Sequence, residues 1–338
     1  MTFEEVFSYE HLFDCAKECC NGVRWKESTQ NFELNIAMWV SRLYEQLHNG
    51  TYKSKGFTNF YIHERGKLRY IQAVHISERC VQKCLCKYCL KPMLIPKLIY
   101  DNSASIKGKG THFALKRLKK HLSYHFKKHG RKGGILLIDY KSYFPSIMHE
   151  TLKEMLRKEI QDDRIYRLCA MFIDCFDGDC GLGLGSEMSQ ICAIYYTNEI
   201  DHYIKEQLHI KGYGRYMDDS YLIHEDIEYL KYCKETISKM SEKYGLRLNT
   251  KRTRIVRLTD TFSYLKKRIF ITESGRIVMR LTRDNIKRRR RVIRATKEKG
   301  EDYRANNKSW RGSVRKFDAY KTIISIENYM NRLEAQDD

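Results

Sequence analysis

Proline is scarce in this chain, with only Pro92, Pro96 and Pro145 among 338 residues. Gly/Ser-rich stretches and internal repeats are missing altogether. These absences exclude flexible joints and repeat arrays, and they predict contiguous subdomains. No apolar run approaches the roughly 18 residues of a membrane span. The opening MTFEEVFSYEH is acidic where a secretory leader is basic, so the sequence predicts a cytoplasmic protein with no membrane partner. The 12 cysteines are then expected as reduced thiols. Cys80, Cys84, Cys86 and Cys89 have a spacing that fits no common zinc pattern, and they sit in a segment of helical periodicity. They read as core residues, as do Cys15, Cys19 and Cys20.

Acids are locally lacking too. The net charge is +21, from 63 basic and 42 acidic side chains, and its excess is concentrated. Residues 116 to 132 carry eight Lys or Arg and no acid; residues 276 to 316 carry 16 against four. The rest of the chain is nearly neutral. Two dense cationic stripes on a balanced background predict a track for a polyanion. Its candidate residues are Lys116, Arg117, Lys119 and Lys120 in the first stripe, with Lys287, Arg288, Arg289, Arg290, Arg291 and Arg294 in the second.

A hydrophobic content of 42% is enough for a large core or several subdomains sharing one. Periodicity predicts helices over 3–22, 31–48, 77–94, 111–129, 149–160, 187–207 and 227–244, the last stopped by Gly245. Strands are expected on either side of the turn Glu64-Arg65-Gly66, over the buried run GILLID (134–139), and along LRLNTKRTRIVRL. A further hairpin is expected to turn at Glu273-Ser274-Gly275, and the last 55 residues read as basic and helical around Trp310.

The segment GRYMDDSYLI places Asp218 beside Asp219 at the centre of an expected hairpin. Two carboxylates about 4 Å apart repel by roughly 4 kcal/mol at an effective dielectric near 20. An Asp-Asp turn chosen only for its geometry would bear that cost without return, whereas a divalent cation reverses its sign. Asp139, at the end of GILLID, offers another carboxylate at a strand terminus beside aromatics. Two strands that each deliver an acid to one sheet edge can hold two Mg²⁺ ions for in-line phosphoryl transfer.

These residues resemble the reverse transcriptases. LLIDYKSYFPSI is similar to their motif A, LGLGSEMSQ to motif B, YMDD to motif C and GLRLNTKRTRI to motif D; GKLRYIQAVHISERCVQ is similar to their fingers stretch. The resemblance runs from about residue 55 to residue 270. It implies an α+β right-hand polymerase: an N-terminal helical extension (1–54), fingers (55–132), a palm with an antiparallel sheet backed by helices (133–270), and a helical basic thumb (271–338). It implies Asp139, Asp218 and Asp219 as catalytic acids. Asp139 and Asp218 would be the magnesium ligands, with the Tyr140 carbonyl as a possible further one. Phe144 matches the gate that excludes a ribose 2′-hydroxyl. Lys67 and Arg69 would hold the triphosphate, with Leu184, Gly185 and Gln190 of motif B nearby. Lys251 or Arg252 stands where the family keeps a lysine associated with protonating pyrophosphate, but arginine rarely gives up a proton.

Motif B reads Leu184-Gly185-Ser186-Glu187-Met188-Ser189-Gln190, with an aliphatic residue before glycine and SQ in place of SP. Together with Ser309-Trp310-Arg311-Gly312, this resembles the reverse transcriptases of diversity-generating retroelements. That subtype implies error-prone cDNA synthesis from a structured template RNA, with a primer and dNTPs as further partners, and a basic accessory protein. A retron-like or abortive-infection defence enzyme is the alternative within the family; a non-catalytic RNA-binding protein is the alternative outside it. Two departures stand out: the motif E glycine is lost in Tyr264-Leu265-Lys266-Lys267, and Lys107 and Lys109 replace the fingers RPG stretch.

Overall fold

The computed structural model describes residues 1–64, 67–183 and 185–335, leaving aside the side chains of Glu64, Lys67 and Arg69. Four helices open the chain: α1 (Phe3–Val6), α2 (Tyr9–Cys20), α3 (Glu27–Leu34) and α4 (Ile36–His48). Thr2 and Glu5 form a reciprocal capping box on α1, and the Ser8 hydroxyl accepts from the His11 amide to start α2. β1 (Phe57–Glu64) and β2 (Lys67–Val74) pair antiparallel, with Glu64 opposite Lys67. The expected turn residues Arg65 and Gly66 lie outside the described residues.

α5 (Ile76–Leu85) runs through a π turn at Cys86–Leu90 into α6 (Lys91–Leu94). Pro92 removes one backbone donor there, which favours a locally irregular ladder. α7 (Thr111–His129) leads to β3 (Gly134–Ile138). α8 (His149–Glu159) and α9 (Asp163–Asp174) follow. The sequence reading leaves α9 unassigned, although Asp162 caps it by accepting from the Arg164 and Ile165 amides. The single run expected over 187–207 is two helices, α10 (Glu187–Tyr196) and α11 (Asn198–Glu206), separated at Thr197. β4 (Gly212–Tyr216), β5 (Asp219–His224), α12 (Ile227–Lys243) and β6 (Arg254–Arg257) complete the central unit. Of LRLNTKRTRIVRL, only β6 is a strand; the residues before it wrap around the end of β3.

The central sheet has the antiparallel order β4-β5-β3-β6. All five residues of β3 are buried, because the sheet is covered on both faces. Leu136, Ile138 and Leu222 join a large core with the N-terminal helices, α5 and α8 to α12. Ile135, Leu137, Tyr221 and Ile223 join a second core with α7 and a separate sheet. That two-sided burial explains why GILLI reads as a continuous apolar run rather than an alternating one. The cysteines singled out above lie in the first core. Cys80 donates to the Leu12 carbonyl (3.3 Å) and Cys84 to that of Val6 (3.1 Å), and burial pushes the Cys19 thiol up to about 12.

The separate sheet is a meander, β7 (Phe262–Tyr264), β8 (Lys267–Ile271) and β9 (Ile277–Leu281), rather than one hairpin. Its first turn is Leu265-Lys266, both at positive φ (44° and 61°), a mirror-type turn built without the Asn-Gly that would announce it. The meander packs on α7, and the helices that follow it begin at residue 283. α13 (Arg283–Glu298), α14 (Tyr303–Val314) and α15 (Tyr320–Glu334) share two small cores of their own. Among the described residues, no helix is long and apolar enough to cross a membrane.

Candidate active site

The register of the central sheet brings the acids together. Ile138 of β3 pairs with Ser220 of β5, so Asp139, one residue on, comes level with Asp219 at the start of β5. β4 and β5 pair with Tyr216 opposite Asp219, which leaves Met217 and Asp218 as a two-residue turn. The turn is therefore centred one residue earlier than the sequence suggests, and Asp219 belongs to a strand. Met217 holds φ +55°. A side chain in that region costs about 1–2 kcal/mol, so the surrounding structure must impose it.

Arg215 supplies that constraint. Its guanidinium donates to the Met217 carbonyl (3.2 Å), to the Ile194 carbonyl of α10 (2.7 Å) and to both carboxylate oxygens of Asp201 on α11. Sequence reasoning missed this residue; the signal was a lone arginine inside a strand otherwise made of apolar and aromatic residues.

Asp139 is nearly buried, at 8% exposure. Its Oδ2 accepts from Asn249 Nδ2 (2.8 Å) and its backbone is bonded on both sides by the Thr253 hydroxyl. Arg252 Nη1 lies 3.4 Å from Asp139 Oδ1 on a largely exposed side chain. Asn249 and Thr253 are further positioning residues that the sequence reading did not single out. Asp139, Met217, Asp218, Asp219, Lys251 and Arg252 line one cleft of about 1210 Å³ that continues to Leu265, Lys266 and the N-terminus of α7.

Desolvation, then the Asp139 charge, raises the Asp218 carboxyl above the usual carboxylate range. The same burial, then Asp218 and Asp139, pushes Asp219 up to about 7. These are carboxylates short of positive charge. Among the described residues, no three His, Cys, Asp or Glu side chains converge into a ready-made cation cage. Magnesium does not need one, since it takes one or two protein carboxylates and completes its shell with water and phosphate oxygens. Asp139 and Asp218 supply that number of hard oxygen donors, so the residues present fit the ion.

Phe144 is half-buried at the start of a 3₁₀ turn (Phe144–Ser146), five residues past Asp139, and its ring meets Tyr143 edge-on at 5.9 Å. The Tyr140 side chain turns away into the core, where its hydroxyl bonds Ser241 (3.1 Å). Gly185 (φ +123°) lies against β2, where an added Cβ would come 3.7 Å from the Gln72 carbonyl. At Gly183 a Cβ would meet Phe176 at 2.5 Å and the Gln72 amide at 2.9 Å, so the glycines let motif B and β2 touch. Gln190 is bonded by the Ser105 hydroxyl (2.9 Å). Leu184 and the side chains of Lys67 and Arg69 lie outside the described residues; the backbone places Lys67 and Arg69 on β2.

Two members of the expected polyanion track are committed inside the protein. Arg117 is engaged by Asp101 and stacks over Tyr100 (5.0 Å), and Arg289 is buried against Asn306, Asn307 and Trp310. Burial of the partner groups, not charge density, decides these two. Lys109 is likewise tied to the Tyr100 and Asn102 carbonyls. Lys116, Lys119, Lys120, Lys287, Arg288, Arg290, Arg291 and Arg294 remain exposed.

Comparison with known proteins adds the family. The family described as reverse transcriptase (RNA-dependent DNA polymerase) matches residues 52–269, well over half of the chain. No curated protein sequence matches. The fold is similar to that of apo telomerase from Candida tropicalis truncated from its C-terminal domain: TM-score 0.51, 16% identity, 66% of this chain and 54% of that one. It is also similar to telomerase from Candida albicans in complex with a fragment of telomeric RNA: TM-score 0.52, 12% identity, 77% of this chain and 54% of that one. The chain thus spans about half the length of these structural neighbours.

Proposed function

This chain belongs to the reverse transcriptase family, and from that premise we propose that it polymerises DNA on an RNA template in the cleft between Asp139 and the Met217–Asp218 turn. The observation that carries the proposal is the sheet register that sets acids from adjacent strands level with one another over an open cleft. Asp139 and Asp218 would hold two magnesium ions, with the Tyr140 carbonyl as a further donor. Bound there, the metal supplies the positive charge that favours ionisation of the attacking hydroxyl and stabilises the departing pyrophosphate.

The chain's own residues do the positioning. Asn249 fixes one Asp139 oxygen, Thr253 fixes its backbone, and Arg215 fixes the turn that carries Asp218. Arg252 pairs with Asp139 from a largely exposed side chain, within reach of a phosphate in the cleft. Phe144 stands as a gate against ribonucleotides, and Lys67 and Arg69 on β2 are the clamp for the triphosphate. Lys116, Lys119 and Lys120 near the start of α7 and the exposed arginines of α13 follow the template and duplex by charge. In this reading residues 55–132 are fingers, 133–270 palm and 271–338 thumb, with 1–54 an extension whose helices pack into the palm core.

For the subtype we propose the diversity-generating retroelement enzymes, on the residue types of motif B. Leu184 offers only apolar contact where glutamine would penalise a misplaced partner through an unpaired polar group, so discrimination falls. Sequencing the cDNA that purified protein makes from a defined RNA with magnesium tests both levels. Absence of cDNA removes the polymerase reading; accurate cDNA, or an error spectrum unchanged by Leu184→Gln, removes the subtype.

A further inference from the structure

Away from the catalytic cleft, α7 carries a second concentration of titratable side chains that the polymerase reading does not use. His121, Tyr124, His125, Lys128 and His129 line a pocket of about 250 Å³. Its opposite wall is His209 and Lys211, from the segment between α11 and β4, with His224 and Glu225 at the end of β5. Among the described residues that line it, Glu225 is the single carboxylate. Five histidines and two lysines against one acid make a site for an anion.

The histidines divide into two groups by their bonds. His121 Nδ1 is bonded to the Tyr221 hydroxyl (2.9 Å) and its Nε2 faces the Arg117 guanidinium (3.2 Å). His125 Nε2 donates to the Lys132 carbonyl (2.8 Å). Burial holds both below the usual histidine range, so they form a neutral wall. His209 is exposed, and the Nε2 atoms of His129 and His224 lie 3.9 and 3.7 Å from the Glu225 carboxylate. His224 Nδ1 accepts from the Asp226 amide (3.0 Å), which leaves its Nε2 carrying the proton and able to donate. At the rim, Tyr124 is 47% exposed with the Lys128 ammonium 4.8 Å above its ring. An exposed ring beside cations is the pairing that stacks an unpaired base while holding its phosphate.

α7 links the two sites. Its first residues, Thr111, His112 and Leu115, line the catalytic cleft, and its last turns line the pocket. At 1.5 Å per residue, its 19 residues span about 28 Å. We propose that this pocket is a second RNA site, where Lys128, Lys211, His129, His209 and His224 hold backbone phosphates of single-stranded RNA leaving the cleft along α7 and Tyr124 stacks a base. The proposal rests on the reading of the chain as an RNA-templated polymerase.

The test uses the full chain and RNA templates annealed to a DNA primer, with either a short overhang or one long enough to follow α7, extended on each side of the duplex in turn. Each phosphate contact contributes about 0.7 to the slope of log affinity on log salt for single strands. Lys128→Ala with Lys211→Ala should therefore lower that slope by about 1.4 on a long-overhang template, and leave short-overhang binding and extension unchanged. His129→Ala with His224→Ala should weaken long-overhang binding and leave short-overhang binding unchanged. An unchanged slope on the long overhang overturns the proposal. So does binding that requires added zinc, which would make the pocket a metal site, or loss of short-overhang extension, which would make it part of the cleft. Failure of the parent to extend any primer contradicts the polymerase reading instead, while the salt slope still decides the pocket.

Discussion

Arg215 and Asp201 form an ion pair sealed from solvent, with side chains 2% and 0% exposed, directly behind the turn that carries Asp218. Asp201 accepts from Arg215 through both oxygens and from the Tyr213 hydroxyl (2.5 Å), so its lone pairs are well used. Removing one partner of such a pair leaves a buried charge uncompensated, at about 3–5 kcal/mol. Asp201→Asn should therefore lower the urea midpoint markedly.

Arg215→Lys keeps the charge but cannot reach Asp201, Ile194 and Met217 together, because an ammonium lacks the planar fork. It should fold, and lose at least about tenfold in kcat, equivalent to about 1.4 kcal/mol, with little change in nucleotide KM. Equal losses in KM and kcat would show that the arginine acts on the whole cleft rather than on the turn.

His121 gives a pH signature. Burial lowers it to about 4 in the folded protein, against about 6.5 when unfolded, even though Asp101 lies 3.5 Å from Nε2. The unfolded chain thus takes up the proton first as pH falls. The contribution is fully present above pH 6.5 and is lost between 6.5 and 4, by up to about 3 kcal/mol. Chemical denaturation of the parent and of His121→Gln across that window should show the parent losing more stability on acidification; parallel curves would refute the assignment.

Gly183→Ala should be destabilising. The new Cβ would sit 2.5 Å from the Phe176 ring and 2.9 Å from the Gln72 side-chain oxygen, so Phe176 and the Gln72 side chain on β2 must shift. Overpacking of this kind costs about 1–3 kcal/mol. Because β2 carries Lys67 and Arg69, nucleotide KM should rise as well as thermal stability fall; a variant with parental KM would separate the glycine from the nucleotide clamp.

Phe144→Ala removes the proposed gate ring without touching the acids. Ribonucleotide incorporation should rise at least about tenfold relative to deoxyribonucleotide, a shift of about 1.4 kcal/mol in discrimination, measured by competing the two in single-nucleotide extension. An unchanged ratio would make Phe144 a packing residue.

Long periodic helices such as α7 and α12 were legible in the sequence because apolar residues recurring at helical spacing form a continuous stripe only when the backbone is helical. β3 was legible because a run buried on both faces cannot alternate. Asp139 and the Asp218 turn stood out because charge at the end of an apolar strand is costly unless it is used. The rest depended on distant partners. Arg117 and Arg289 look like their exposed neighbours in composition, and only Asp101 and Asn307, 16 and 18 residues away on other segments, take them out of the polyanion track. The Leu265-Lys266 turn lacks the residues that mark its conformation, so its hairpin merged with the next. The α7 histidines gained meaning only once β5 placed His224 and Glu225 opposite them.

The central claim is that Asp139 and Asp218 act together on a template-directed reaction. Primer extension on an RNA template with magnesium, comparing the parent with Asp139→Asn and Asp218→Ala under matched RNA binding, tests it most directly. The account predicts DNA product from the parent and none from either variant, with RNA affinity retained. Equal extension by parent and variants, or binding by all three with no product, would contradict it.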